Sequence, residues 1–337
     1  MSPTGLRVAV VGATGAVGRT MLQLLSERDF PADELVLFAS ARSAGCEIDG
    51  RTVQRLDDEA DISGFDIALF SAGGTTSKLW APRFAAAGAT VIDNSSAFRR
   101  DPDIPLVVAE VNPHALTGHT GGHIIANPNC STMQLMVAVA PIHRAVGIER
   151  LIVSTYQSVS GTGQAAIGEL EAQVRASLDG EPMPEPSIYP DRIGFNVIGA
   201  AGSFADGDDH TDEERKMMFE TGKILEDESI KVAVTCVRVP VRICHSESVN
   251  LETREPISVE EVRALLAEAP GVILEDVPSP LAAAGRDEVF VGRLRTDQTH
   301  PRGLAMWVVS DNLRKGAATN AVQIAELVAA DRAGAAA

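Results

Sequence analysis

The stretch LRVAVVGATGAVGRTMLQLLSERD, residues 6–29, constrains the fold more than any other. Residues 6–11 are a short β-branched run of the kind that forms a buried parallel strand. GATGAVG follows at 12–18, and the residues after it have the spacing of an amphipathic helix. Strand, glycine turn and helix make up a dinucleotide-binding unit, whose glycines let backbone N–H groups approach a pyrophosphate at the positive end of the helix. The glycines here are Gly12, Gly15 and Gly18, so the spacing is GxxGxxG and not GxGxxG. A tight structural turn therefore stays open beside the cofactor reading.

The next strand-like run, ELVLFAS at 34–40, bears on which dinucleotide would bind. An NAD-specific unit commonly ends this strand with an acid that holds the ribose 2′-OH. This chain has Ala39 and Ser40, then Arg42 and Ser43. A hydroxyl and a guanidinium suit a 2′-phosphate, which points to NADP; the plain alternative is that Arg42 is a solvated loop residue. Further strands are expected at 66–73, 89–96 and 105–112, each ending in small or polar residues. In doubly wound sheets the ligand lies over such ends, which makes Ser71, Ala72, Gly73 and Asn94 candidate cofactor neighbours. Small residues are also ordinary loop content.

With 337 residues the chain calls for two domains, and its 45% hydrophobic and 22% charged content is that of a soluble globular protein. The first residues lack a signal peptide's basic flank and cleavage site, and no apolar run is long enough to cross a bilayer, so a cytoplasmic location is expected. The net charge of −17 argues against nucleic acid or an anionic membrane as a partner. An anionic substrate would depend on a few well-placed arginines and lysines. The four cysteines are scattered and no metal-ligand spacing is present, so neither a disulfide framework nor a metal site is expected.

Cys130 stands in NPNCSTMQLMVAVAPI, where Pro128 and Asn129 stop any preceding element and an apolar helix follows. A cysteine in the first turn of a helix has the dipole and N–H groups to favour a thiolate, and the same N–H groups suit an oxyanion. The commoner fate of a cysteine is inert burial. Cys236 fits that fate, on one strand face with Val232 and Val234; Cys46 is expected in a turn and Cys244 borders His245. A nucleophilic thiol needs a proton shuttle, and among seven histidines His245 lies just past a valine-rich strand. The same strand puts Arg238 on its apolar face, which suits either an anion-binding role or a structural ion pair. Fully extended, Arg238 and His245 would be roughly 23 Å apart, so a shared substrate requires the chain to bend near Pro240.

From Leu151 onward, five strand-like runs alternate with few helices, indicating a mostly antiparallel sheet with one packed face. DEERKMMFETGK is a helix that Thr211 can cap, with Glu213 and Lys216 paired at i,i+3 on a solvated face.

With these residues in hand, the sequence resembles the aspartate-semialdehyde dehydrogenase family from about Arg7 to about Ala330. Five stretches carry the resemblance: GATGAVG, SSAFR at 95–99, NPNCST at 127–132, QSVSGTG at 157–163, and EERKM followed by RVPVRICHS within 213–246. The order of all five is highly specific. The resemblance implies that Cys130 is the thiol nucleophile, His245 its acid/base partner, and Gln157 a residue that positions the reacting group. Arg238 would bind the substrate carboxylate and Glu213 the amino group, with Arg99, Asn129 and Lys216 forming a phosphate site. Gly12, Ala13, Thr14, Gly15, Ala16, Val17, Ser40, Arg42, Ser160, Gly161 and Asn312 would touch NADP. The reaction implied is reversible, NADP-dependent conversion of L-4-aspartyl phosphate to aspartate 4-semialdehyde through a cysteine thioester, in lysine, threonine and methionine biosynthesis.

The implied architecture is α/β. A Rossmann-like NADP-binding domain spans 1–129 and is completed by a C-terminal helix at 312–330. An α+β catalytic and dimerisation domain spans 130–311, 331–337 form a flexible tail, and the assembly is a homodimer. NVIGAAGSFADGDDHTDEERK departs from the family's short NVIP-type link, which leaves the placement of 199–210 open. Rival readings are N-acetyl-glutamyl-phosphate reductase, a CoA-dependent acyl reductase, and a silent NADP-binding regulatory protein.

Overall fold

In the computed structural model, which describes residues 5–119 and 122–335, the chain divides into two compact units, Met1–Pro128 with Ala317–Ala337, and Asn129–Gly316. The first begins with β1 (Leu6–Val11) and α1 (Ala16–Glu27). β2 (Ala32–Ala39), a ribbon of β3 (Glu47–Ile48) and β4 (Arg51–Thr52), β5 (Gln54–Arg55) and β6 (Ile67–Phe70) follow. α2 (Gly74–Ala86), β7 (Thr90–Asp93) and β8 (Ile124–Ala126) complete its run. The main sheet has the order β5-β2-β1-β6-β7-β8, and every pairing in it is parallel.

Because strand side chains alternate, this sheet has two apolar faces. Val8, Val10, Leu37, Leu69 and Ile92 pack toward α1 and the C-terminal helix Asn320–Ala335. Ala9, Val11, Phe38, Phe70 and Val91 pack toward α2 through Trp80 and Phe84. The C-terminal helix is tied to the unit by Arg28–Glu326 at 2.7 Å and Arg332–Asp66 at 2.5 Å. The tail expected at 331–337 is thus helical as far as Ala335, and 336–337 lie outside the described residues.

The strand expected at 105–112 does not form. Leu106 makes only an isolated bridge to Ala126. The Asn112 side chain accepts from Val108 N–H and donates to the Leu106 carbonyl, both at 2.9 Å, folding the segment back on itself. A local side-chain bond has outcompeted the ladder. β8, which the sequence reading missed, takes the edge position.

The second unit comprises α3 (Cys130–Val146), β9 (Ile148–Gln157), α4 (Gln164–Leu178), α5 (Asp212–Leu225), β10 (Lys231–Arg238) and β11 (His245–Thr253). It continues with α6 (Val259–Ala267), β12 (Val272–Leu274), α7 (Pro280–Ala283), β13 (Val289–Asp297) and β14 (Gly303–Ser310). Its sheet order is β10-β9-β11-β14-β13-β12, with three central antiparallel ladders and a parallel pair at each edge. One face is buried: His245, Glu247, Val249 and Leu251 alternate with more accessible Ser248, Asn250 and Glu252. α3, apolar on nearly all sides, lies against that face. The opposite face carries Ile152 and Tyr156, each 38% exposed, with Tyr156 against Trp307 at 5.2 Å between ring centroids. No helix among the described residues is long and apolar enough to cross a membrane.

Candidate active site

Cys130 opens α3, and Asn129 is its N-cap. Asn129 Oδ1 accepts from the N–H groups of Ser131 at 3.0 Å and Thr132 at 3.2 Å. Those two donors, expected from the sequence to be available for an oxyanion, are committed to the cap. The Asn129 backbone N–H donates to Glu220 at 2.7 Å, and its Nδ2 donates to Glu213 at 2.8 Å. Glu213 also takes Lys216 Nζ at 2.6 Å, and Lys216 reaches Asp212 at the same distance. Burial alone would lower the Lys216 pKa, but Glu213 and Asp212 together outweigh it and the net shift is upward. The solvated face expected for this pair is therefore wrong: Glu213 and Lys216 are largely covered and join the α3 cap.

The chain itself holds α5 in that position. Thr211 and Glu214 form a capping box, and the other Glu214 oxygen accepts from Cys236 N–H at 3.0 Å. In the loop before it, Asp208 holds Arg215 through two hydrogen bonds and Ser203 N–H donates to Asp212 at 2.8 Å. Of the four cysteines, Cys236 and Cys244 are buried with thiol pKa values pushed up by desolvation, and Cys46 is exposed. Cys130 is partly accessible, as a nucleophile must be.

Strand register assembles the rest. Arg238 pairs with Gln157 across β10 and β9, and His245 pairs with Ser310 across β11 and β14. Ser246 lies opposite Tyr156, so Arg238, Gln157, His245 and Ser310 form one row at the end of the buried face. The bend demanded between Arg238 and His245 is present, since β10 runs parallel and β11 antiparallel to β9. A Cβ built on Gly161 would lie 3.2 Å from His245 Nε2 and 3.3 Å from an Arg238 guanidinium nitrogen, so both groups border one point. Gln157 Nε2 donates to Ser131 Oγ at 2.9 Å, linking the row to the residue after Cys130. Arg238 donates to the Ser158 carbonyl at 2.7 Å and stands 5.7 Å from the centre of the Tyr189 ring.

His245 is fully buried. Its Nδ1 accepts from Ser158 N–H at 3.0 Å, while Nε2 has no hydrogen-bond partner among the described residues. Desolvation, then the Arg238 charge, hold its pKa down to about 3, so the ring is neutral at physiological pH. Asn312 lies behind it, accepting from Cys244 N–H at 2.9 Å and Ser158 Oγ at 3.1 Å, and donating to Ser160 Oγ at 2.9 Å. Gly316 packs on the thiol residue: a Cβ there would lie 2.9 Å from Cys130 Cβ and 3.5 Å from Asn312 Cβ.

In the first unit a cleft of about 360 Å³ lies over the C-terminal ends of β1, β2 and β6. Gly12, Thr14, Gly15, Ser40, Arg42, Ser71 and Ala72 line it, together with Thr76 and Trp80, which the sequence reading did not name. Gly12 has φ +86°, and a Cβ there would meet the Ser71 carbonyl at 2.8 Å. A Cβ on Gly18 would meet the Gly12 carbonyl oxygen at 2.2 Å, so GxxGxxG is what lets the helix close on the turn. These features fit a dinucleotide: a bare backbone turn, a helix start, and a cation beside the second strand. Ala13, Ala16, Val17, Ser43 and Gly73 are not among the lining residues. Ser43 N–H closes the turn onto the Ser40 carbonyl at 2.9 Å. Asn94, also outside the lining, takes Arg99 on its carbonyl at 2.9 Å and Asn127 on its side-chain oxygen, leaving a buried Nδ2 without a partner. Ser160, Gly161 and Asn312, also expected at the cofactor, belong to the second unit. No cluster of three potential metal ligands occurs among the described residues.

A family model described as the NAD binding domain of semialdehyde dehydrogenase matches residues 7–119, and the corresponding dimerisation domain matches 139–315. The aspartate-semialdehyde dehydrogenase of Aquifex aeolicus (strain VF5) is 55% identical over 334 residues, covering 96% of this chain and 98% of its own. The chain belongs to the aspartate-semialdehyde dehydrogenase family. The Streptomyces akiyoshiensis aspartate-semialdehyde dehydrogenase is 54% identical, covering 97% of this chain and 99% of its own. The crystal structure of aspartate semialdehyde dehydrogenase II from Vibrio cholerae superimposes with a TM-score of 0.93 at 52% identity, covering 97% of this chain and 99% of that one. That enzyme has also been crystallised in complex with ASA, and a Candida albicans aspartate semialdehyde dehydrogenase, TM-score 0.75 and 27% identical, with NADP.

Relative to this aspartate-semialdehyde dehydrogenase family pattern, the sequence reading missed Glu220, Ser158, Tyr189 and Gly316. Glu220 stands seven residues after Glu213 and shares its helix face, a spacing that carries a signal. Ser158 lies inside the quoted QSVSGTG. Tyr189 and Gly316 are far in sequence from every motif and carry none.

Proposed function

We propose that the protein catalyses the reversible, NADP-dependent interconversion of L-4-aspartyl phosphate and aspartate 4-semialdehyde through a thioester on Cys130. The observation that carries this reading is the row Arg238–Gln157–His245, joined through Gln157 and Ser131 to the helix turn that bears Cys130. It combines a thiol at a helix start, an imidazole and a carboxylate-binding cation, the set an acyl transfer to sulfur requires.

The Cys130 thiolate attacks the acyl carbon of the phosphate substrate, forming the C–S bond as the C–O bond to phosphate breaks. Asn129, Lys216 and Arg99 are assigned to the departing phosphate. Arg238 holds the substrate α-carboxylate, with its Nε buried and without a partner among the described residues, and Glu213 takes the amino group. Gln157 orients the acyl group. His245 presents Nε2–H to the carbonyl oxygen and holds by a hydrogen bond the negative charge that develops there in either direction; with Nδ1 taken by Ser158 N–H, the acid/base exchange expected of it becomes this hydrogen bond. A nicotinamide dinucleotide, held by Gly12, Thr14, Gly15, Ser40 and Arg42, supplies the hydride for reduction when bound. The tetrahedral adduct on Cys130 then collapses, releasing aldehyde and regenerating the thiolate.

We also read the assembly as a homodimer formed through the second unit, supported by the family's dimerisation domain and by the accessible Ile152 and Tyr156 on the open sheet face. The biological setting inferred is cytoplasmic lysine, threonine and methionine biosynthesis. The test is absorbance at the reduced nicotinamide band with aspartate semialdehyde, phosphate and either cofactor. Phosphate-dependent NADP reduction is expected. Turnover only with N-acetyl-glutamate semialdehyde, or only with CoA in place of phosphate, would overturn the reading.

A further inference from the structure

We propose that Asn312 is a positioning residue for His245, acting through Ser158 to fix the ring with Nδ1 as acceptor and Nε2–H as the donor presented to substrate. This rests on the reading that His245 meets the substrate oxygen.

A backbone N–H can only donate. Ser158 N–H stands 3.0 Å from His245 Nδ1, so a proton on Nδ1 would put two hydrogens face to face and leave a buried amide unpaired. Flipping the ring would put a carbon there and orphan the same amide. Ser158 Oγ lies 3.2 Å from Nδ1, but it has Asn312 Oδ1 and Ser160 Oγ as alternative partners and so requires no ring proton. The neutral ring therefore carries its hydrogen on Nε2, the atom left without a partner among the described residues. Arg238 is the charged side chain that bears on the ring. Ser158, Ser160, Asn312, Gln157 and Ser310, which border it from the other elements, are neutral.

Asn312 holds this arrangement in place. It is buried and binds on both sides of the histidine: the Cys244 N–H directly before it, and the hydroxyl of Ser158, the residue whose N–H donates to Nδ1. Cys244 has φ +78°, a conformation costly for a non-glycine residue, and its N–H bond to Asn312 is one of the contacts that hold it. Gly316 lies beside both Cys130 and Asn312, so the residue that braces the imidazole stands close to the one that bears the thiol. The reaction needs such a donor, because Ser131 and Thr132 N–H are occupied by the helix cap.

The test uses the full-length protein and Asn312→Ala. A dinucleotide contact would weaken NADP binding and leave kcat at saturation intact. The positioning role gives the reverse: NADP affinity by calorimetry unchanged and kcat lower on the order of 10²-fold. Nitrogen-15 spectra of histidine-labelled wild type should show His245 with a bare Nδ1 and protonated Nε2 at neutral pH, and a mixture of tautomers in the variant. Weakened NADP binding with retained kcat, or a protonated Nδ1 in the wild type, overturns the proposal. Should Asn312→Ala fail to fold, Ser158→Ala removes the hydroxyl link and keeps the amide. It should lower kcat without changing NADP affinity, and unchanged kcat would contradict the link. If the wild type proves inactive on aspartate semialdehyde, the reaction assignment fails, while the spectra and the NADP affinities still judge Asn312.

Discussion

Cys130 and Gly316 constrain each other. A methyl group at position 316 would sit 2.9 Å from Cys130 Cβ, inside any tolerated contact, with Cys130 Cα at 3.3 Å and Asn312 Cβ at 3.5 Å beside it. Gly316→Ala should therefore displace the thiol, lowering kcat by on the order of tenfold or more with little change in KM for the dinucleotide. Iodoacetamide labelling of Cys130 should slow in parallel; a variant with parental labelling and kcat would show that the contact is soft. Arg42 makes a separate point. If its guanidinium takes the 2′-phosphate, Arg42→Ala should raise KM for NADP by roughly 10- to 100-fold and leave KM for NAD unchanged, read in paired initial-rate assays.

Among the elements, α5 and β11 carry the most consequence. α5 holds Glu213, Lys216 and Glu220 against the Asn129 cap, and its start depends on the Thr211 capping box. Thr211→Ala should cost about 1 kcal/mol, seen as a lower Tm, and should weaken phosphate saturation. β11 carries Glu247 one position inside the His245 row, fully buried, with neither oxygen completing a hydrogen bond among the described residues. Desolvation raises its pKa well above the ordinary value, and Gln134 nearby offsets only part of that. The folded state therefore binds a proton that the unfolded state has released, so stability falls as pH rises from the usual glutamate range toward the folded pKa. Glu247→Gln, neutral at every pH, should have the higher Tm at pH 8, with the gap closing as pH falls toward the usual glutamate range. A gap that widens on acidification would contradict the buried neutral acid.

These elements also mark how far the sequence could be read. β1, its glycine turn and α1 were legible because strand and helix periods change abruptly at Gly12. The Cys130 helix start and the Thr211 cap were legible because caps are local. The row Arg238–Gln157–His245 was not, because register is fixed by long-range pairing; sequence supplied only the demand for a bend. Residues 105–112 misled because a valine-rich run looks the same whether or not Asn112 captures its backbone. Glu213 and Lys216 looked solvated because one helix cannot reveal what packs on its face.

On the scale of the whole molecule, the proposed substrate is anionic while the chain carries a net charge of −17. Bulk attraction cannot draw such a substrate in, so under the proposed function that task falls to a few local cations, Arg238 and Lys216 among them, within an otherwise repulsive field. The proposed thioester is tested most directly by mass spectrometry of the protein mixed with aspartyl phosphate in the absence of reduced cofactor. An aspartyl adduct is expected on the Cys130 peptide, discharged on addition of NADPH, and no adduct in Cys130→Ala, which should still bind NADP. Full turnover by Cys130→Ala, or wild-type turnover with the acyl group on another residue or on none, would contradict it.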